Sequence, residues 1–341
     1  MRFSVQTLLA ASLALVATTV AAQTCNGNSN WCSRPYNQAS YVTANDAMIS
    51  VNGDSANATQ KASVTTLLAN GVRAFVFRVV KQGSDPTVRL CLETCDTLNG
   101  GDLKSTLTSM KQWMDANKDA VVTIVLRNVG NFVLGDLAQP FKDAKLDSLV
   151  FGGKSDVGAA WPKLGDMVKS NKRCVVFATG ISADATLPWI MPLYTFTWES
   201  PSQVTSVSGG FTCTKDKPTA GAIPVQNSLY IMNHFVDDGS APQVDGEYVI
   251  PDTSAPAKVN TQSSIESHVT ACMTSWGLRP NFISLDFADQ GDAVKTVANM
   301  NNKKMGNTEQ SGETWVASNA AKTTIGAVAA LVILIVTAFA M

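Results

Sequence analysis

LKSTLTSMKQWMDANKDAVVTIVL, residues 103–126, carries an amphipathic helical pattern over 103–116 and then, past a polar turn, an apolar β-branched run over 121–126. A helix followed by a short apolar strand is one αβ step. The step recurs outward in both directions. Apolar runs at 41–42, 74–80, 149–151, 174–178, 193–197, 229–235 and 282–287 read as further strands. Helical patterns fall at 63–69, 137–145, 164–172, 264–273 and 292–300. Such alternation favours a parallel sheet with crossover helices, and about eight strands in one stretch without a visible linker predict an α/β fold, a TIM-type (β/α)8 barrel. Between Tyr194 and Leu229 the chain is rich in Gly, Ser, Thr and Pro and shows no helical pattern, so the barrel is expected to be irregular there.

The barrel is assigned to residues 23–302, and what flanks it is of another kind. Residues 1–22 hold Arg2, an apolar run over 8–16 and the small residues Val20, Ala21 and Ala22, the pattern of a secretory signal peptide cleaved after Ala22. Residues 303–324 are polar and read as a stalk, and residues 325–341 form an unbroken apolar tail ending at the last residue. A terminal apolar tail behind small residues is the pattern of a glycosylphosphatidylinositol (GPI) attachment signal. Ser318 or Asn319 is the expected attachment residue, with Ser311 and Gly312 as lesser candidates. The expected location is therefore secreted and on the cell surface, held to the outer leaflet of the plasma membrane by a lipid anchor. The alternative is a C-terminal transmembrane anchor.

Lys and Arg number 26 against 27 Asp and Glu, a net charge of −1, which argues against a nucleic-acid partner because phosphate neutralisation needs a basic surface. In an oxidising compartment the cysteines are expected as disulfides. Cys25 with Cys32 and Cys91 with Cys95 close short loops, Cys213 then pairs with Cys272, and Cys174, inside a strand pattern, stays free. Zinc is the competing use of cysteine, but no histidine lies near either close pair. Asn57-Ala58-Thr59 is a glycosylation sequon, placing Asn57 on a surface loop.

Three stretches carry a family resemblance: CNGNSNWCSRPYNQASYVTANDAMIS (25–50), the run from Gly71 to Trp113 with GVRAFVFRVV and LCLETCDTLNGG, and RPNFISLDFADQGDAVKTVANMN (279–301). In order and content they resemble the secreted PLC-like phosphodiesterases, relatives of bacterial phosphatidylinositol-specific phospholipase C. The resemblance implies a TIM-type barrel with its centre at the C-terminal strand ends. It also implies a phosphoric diester hydrolase acting in lipid metabolism through two histidines. One, in a Thr-His-Asn type motif, takes the proton of the attacking inositol hydroxyl. The other, in a Leu-Cys-His or His-His-Gly type motif, protonates the leaving alcohol. Here those motifs read Thr43-Ala44-Asn45 and Leu90-Cys91-Leu92-Glu93, so Ala44 and Leu92 stand in the histidine places. The acid that relatives carry on the second strand is missing at both Val76 and Arg78, so no metal and no cofactor are expected. Arg78 coincides with the arginine that holds phosphate in the metal-independent enzymes, or else pairs with Asp46, Glu93 or Asp286.

The chain has two histidines, His234 and His268. His234, in an Asn-His-Phe stretch that relatives share, reads as a core or rim residue. His268 reads as solvent-exposed on its helix. Glu93 and Asp286 are a candidate acid and base pair. Asn45, Asp46, Arg78, Glu93, His234 and Asp286 are thus the candidates for whatever site survives. The aromatic stretch 189–198 reads either as strand core or as a lipid-entering rim. The expectation is a pseudoenzyme-like surface protein that binds a phosphorylated or sugar ligand, the alternative an active hydrolase with rearranged acid and base residues.

Overall fold

The computed structural model describes residues 22–49, 57–220, 227–240, 243–244, 247–248 and 250–303. The signal segment up to residue 21, Ser311, Gly312, Ser318, Asn319 and the apolar tail lie outside the described residues. In chain order the elements are β1 (Tyr41–Ala44), α1 (Val64–Ala69), β2 (Ala74–Gln82), β3 (Asp85–Cys91), β4 (Asn99–Asp102), α2 (Leu103–Ala116) and β5 (Val122–Arg127). There follow α3 (Leu134–Asp143), α4 (Leu164–Lys169), β6 (Cys174–Ala178), β7 (Ile190–Pro192), α5 (Leu193–Phe196), β8 (Thr197–Glu199) and β9 (Leu229–Asn233). The chain continues through β10 (Gln243–Val244), β11 (Glu247–Tyr248), α6 (Pro256–Val259), α7 (Gln262–Trp276), β12 (Phe282–Leu285) and α8 (Ala293–Asn302).

Eight strands run parallel in the order β7-β6-β5-β2-β1-β12-β9-β8 and curl into an irregular (β/α)8 barrel. The two end strands, β7 and β8, are consecutive in sequence and joined by the single turn of α5. β3 and β4 extend β2 as an antiparallel hairpin beyond the barrel. Side chains alternate between two cores. Phe75, Phe77, Val122, Ile124, Ile283 and Leu285 face the helices, while Ala74, Val76, Val125, Phe177, Ile231 and Phe282 fill the barrel. At its N-terminal end the barrel is plugged by rings. Tyr36 packs on Tyr41 and Trp161 with centroids 5.4 and 5.0 Å apart, and its hydroxyl lies 2.6 Å from Thr123 Oγ1.

Local chemistry explains the helices. Asp102 caps α2 by accepting from Ser105 N at 2.8 Å, and Leu103, Leu107, Met110 and Met114 bury its inner face. Gly71, at φ +104° between α1 and β2, lies where a Cβ would come within 2.6 Å of Val294 on α8, so this turn needs glycine twice over.

Several expectations need correction. Residues 149–151 are not a strand: a 3-10 turn over Leu146–Leu149 leads to one bridge between Val150 and Cys174. Residues 193–197 are the α5 turn and the start of β8, because a strand there would have to double back on β7. Phe196 and Trp198 are buried, Trp198 stacking on Tyr230 with centroids 3.7 Å apart, so these rings are core and not a lipid-entering rim. The β3–β4 hairpin and α6 were not anticipated. Between Tyr194 and Leu229, where no helical pattern was expected, the described chain holds most of the single turn of α5, then β8 and one 3-10 turn. Cys25–Cys32, Cys91–Cys95 and Cys213–Cys272 are disulfides, and Cys174 is free and buried. Among the described residues no helix is long and apolar enough to cross a membrane.

Candidate functional site

The alternation that fills the barrel with apolar side chains reaches polar residues at the C-terminal strand ends. Asn45 follows β1, Arg78 lies on β2, Arg127 ends β5, Glu199 ends β8, Asn233 ends β9 and Asp286 follows β12, all in phase with the inner face. Arg78 and Arg127 are register partners on neighbouring strands, which brings two cations together in a poorly hydrated layer. Each is matched by its own carboxylate. Arg78 Nε donates to Asp46 Oδ2 at 2.7 Å, with both side chains 5% exposed or less. Arg127 donates through both terminal nitrogens to Glu199, at 2.8 and 2.7 Å, and to Tyr194 Oη at 2.7 Å. That fork spans from β5 to β8, across the break in the strand ladder.

Asp286 closes the layer on the β1 side. Its Oδ1 accepts from Asn45 Nδ2 at 3.0 Å, while the buried Oδ2 makes no hydrogen bond. Burial holds this carboxyl well above the usual carboxylate range and nearby Asp46 adds to the rise, whereas the Asn45 amide and Arg78 act in the opposite direction. The turn after β1 puts Asp46 at φ 35° and is fixed from outside. Thr59 Oγ1 donates to the carbonyls of Asn45 and Asp46 at 2.9 and 2.8 Å, and Gln60 Nε2 donates to those of Asn45 and Leu285 at 2.9 and 3.0 Å. Thr59 is also the last residue of the sequon, whose half-buried Asn57 donates to the Thr97 carbonyl at 3.4 Å.

Of the candidates, Asn45, Asp46, Arg78 and Asp286 therefore meet, and two do not. Glu93 is exposed beside the Cys91–Cys95 disulfide while Asp286 is buried, so the proposed acid and base pair does not form. His234 follows Asn233 and falls on the outer face of the sheet. Its Nε2 lies 3.0 Å from the Val259 carbonyl and 3.2 Å from Ser264 Oγ, and its Nδ1 lies 2.9 Å from Nδ1 of His268. His268 is 5% exposed and not the surface residue expected, because it shares the buried face of α7 with Ile265, Val269 and Cys272. Ala44 and Leu92, fully buried, also belong to the outer core and not to the polar layer. Arg127 and Glu199 went unnoticed in the sequence, although Arg127 is the next inward position after Val125.

The histidine pair sets an acid limit on the fold. Burial pushes the His234 imidazole down to about 3, helped by His268 and opposed by the Val259 carbonyl. Burial likewise pushes His268 down to about 4, opposed by the Thr212 backbone. Folded values below the ordinary 6.5 mean that the unfolded chain takes up these protons first, so this contribution to stability is complete above about 6.5 and is lost as pH falls toward 4 and 3. Thermal melts should fall across that window, by up to about 1.4 kcal/mol per pH unit for each ring that must be charged. His234→Gln should flatten the slope. An unchanged slope would show that carboxylates alone set it.

Beside the mouth lies an open cleft of about 350 Å³, bordered by the turn after β1, the start of α1, the β3–β4 hairpin and the start of α2. Ser63, Thr65, Asp102, Ser105, Thr106 and Ser109 supply its polar lining, and among the described residues no Lys, Arg or His lines it.

The family model described as PI-PLC X matches residues 31–301, most of the chain. PI-PLC X domain-containing protein 1 of Arthroderma benhamiae is 26% identical over 282 residues, which cover 81% of this chain and 89% of that protein. A second protein of that organism, described as an uncharacterized secreted protein, is 26% identical over 291 residues, 82% of this chain and 64% of its own. Thus this chain spans under two thirds of that relative. Among solved structures, a variant of the phosphatidylinositol-specific phospholipase C from Staphylococcus aureus superposes with a TM-score of 0.51 at 11% identity, covering 79% of this chain and 93% of the other. That likeness is one of fold. The chain belongs to the PI-PLC X family.

Proposed function

We propose that this PI-PLC X family member is a secreted, GPI-anchored surface protein that binds an uncharged sugar or polyol group and does not cleave phosphatidylinositol. The observation that carries this reading is the cleft of about 350 Å³, lined among the described residues by the hydroxyls of Ser63, Thr65, Ser105, Thr106 and Ser109, the Asp102 carboxylate and apolar side chains such as Met48 and Leu90, with no cationic side chain, beside a mouth whose two arginines already serve Asp46 and Glu199. Its volume lies at the lower end of the ~300–1,000 Å³ common for small-molecule sites. Sugars are recognised through many hydroxyl contacts and one or two carboxylates, which is what Asp102 and the serines and threonines offer. A phosphate would need a guanidinium released from a buried ion pair, which leaves a carboxylate unpaired at a cost of several kcal/mol.

Cleavage fails on proton transfer. Ala44 and Leu92 carry no titratable group, and the two histidines of the chain are bonded to each other behind the sheet. The rival reading, a phosphoric diester hydrolase with rearranged residues, needs Glu93, His234 and Asp286 around one point near Arg78. Only Asp286 is there. Secretion is supported by the N-terminal sequence and by the secreted relative, and the lipid anchor by the C-terminal sequence alone.

The test is the purified ectodomain with phosphatidylinositol vesicles, and separately with myo-inositol, inositol 1-phosphate and a methyl hexoside in saturation-transfer NMR. No inositol phosphate should be released, and an uncharged probe should bind and be lost in Ser109→Trp, which fills the cleft from an exposed position. Turnover at rates typical of enzymes would overturn the reading. Preferential binding of the phosphate, lost in Arg78→Ala, would move the site to the mouth.

A further inference from the structure

Behind the sheet, a ring nitrogen of His268 and the sulfurs of Cys213 and Cys272 lie within 4.8 Å of one another. Among the described residues this is the one group of three His, Cys, Asp or Glu side chains brought so close. His234 Nε2 lies 3.0 Å from the Val259 carbonyl and 3.2 Å from Ser264 Oγ, and its Nδ1 lies 2.9 Å from His268 Nδ1, so the two rings hold each other in place. Nε2 of His268 is buried and makes no hydrogen bond of ordinary geometry, and the backbone of Thr212, the neighbour of Cys213, acts on the ring. Phe211 covers both rings, with centroids 4.2 Å from His234 and 5.0 Å from His268.

A structural disulfide does not need that arrangement. An imidazole oriented through one ring nitrogen by a second buried group, with two sulfurs close by, is how a histidine is prepared to ligate a metal. We propose that the Cys213–Cys272 disulfide is the closed state of a soft-metal site, and that reduction frees two thiols which join Nε2 of His268 as a Cys2His set for a zinc-type cation, leaving one position to solvent. Thiolates with one imidazole select such cations over magnesium or calcium. The reductant is a small thiol. Its thiolate attacks Sγ of Cys213, which is half-buried between exposed Thr212 and Thr214, and Cys272 leaves as thiolate. A second thiol resolves the mixed disulfide, so two RSH become RSSR as the protein disulfide becomes a dithiol, and the cation displaces the two thiol protons. On one tetrahedral zinc the sulfurs sit about 3.8 Å apart, given Zn–S distances of ~2.3 Å. Cys213 lies in the irregular connection before β9, where the backbone can supply that movement, whereas Cys272 is held on α7.

The test takes the folded ectodomain, reduces it with a phosphine under inert gas and adds Co2+ as the probe. One equivalent should bind with thiolate charge-transfer and tetrahedral d–d absorption, and the oxidised protein should show neither. Cys213→Ser should abolish the charge-transfer band attributable to this site. His268→Gln should weaken binding at least tenfold, and His234→Gln, should the former not fold, about 10–100-fold through loss of ring orientation. Absence of the bands after reduction, unfolding of the reduced protein, or equal bands in Cys213→Ser, which would place the metal on another cysteine pair, each overturns the proposal.

Discussion

Glu199→Ala should lower the unfolding free energy by about 3–5 kcal/mol, as expected when one member of a buried ion pair is removed. The Glu199 side chain is 1% exposed and that of Arg127 12%, so the guanidinium left behind has little water to turn to. Tyr194 Oη offers one further contact, and the neighbouring Arg78 adds repulsion that Glu199 had offset. The pair also joins β5 to β8 where no ladder hydrogen bonds do, so its loss should loosen the break in the barrel first. Urea unfolding followed by tryptophan fluorescence would report it, because Trp198 stacks on Tyr230 next to the altered position. The double replacement Arg127→Met with Glu199→Leu should recover most of the loss. A cost near the ~1 kcal/mol of a surface pair would mean that water reaches the fork.

Restoring the family's histidines should fail, and should weaken the fold. Ala44 and Leu92 are fully buried and belong to the same apolar core as Met48, Leu90, Leu285 and Ala288. In Ala44→His with Leu92→His, each imidazole overfills its site, at about 1–3 kcal/mol, and buries a polar group among apolar ones, at about 1–3 kcal/mol more. Their combined cost should be about 4 kcal/mol or more, read as a lower denaturation midpoint. Phosphatidylinositol cleavage should stay at blank level, because both positions belong to the apolar core outside the barrel while the polar layer lies on the inner face of the sheet. Release of inositol phosphate by the double variant would show instead that the scaffold still directs these positions into the mouth.

The barrel was legible because buried parallel strands announce themselves as apolar runs, and six of the helices fell where amphipathic spacing put them. Short runs were the weak point. Leu149-Val150-Phe151 is as apolar as a strand yet makes one bridge, since three residues carry no periodicity to tell strand from turn. Asn45, Asp46, Arg78 and Asp286 were legible as a group because Asn45, Asp46 and Asp286 follow strand ends and Arg78 lies where the parallel pairing of β2 with β5 ends. The Arg127–Glu199 fork was not, because 72 residues separate its members and nothing in sequence distance says which carboxylate crosses a barrel. His268 was within reach: it is three residues after Ile265, one before Val269 and four before Cys272, the spacing of a buried helix face. The polarity of the side chain points outward and its helical phase inward, and the phase decides.

Thr59 shows how one hydroxyl can serve two readers at different times. In the finished protein it is 1% exposed and committed to the carbonyls of the turn after β1. A transferase that attaches an oligosaccharide at Asn57 would need that same threonine free and extended, so it would have to work on the nascent chain before the barrel closes. Removing the acceptor by Asn57→Gln would leave the turn's supports in place, whereas Thr59→Ala would remove the sequon and unpin the polar layer together.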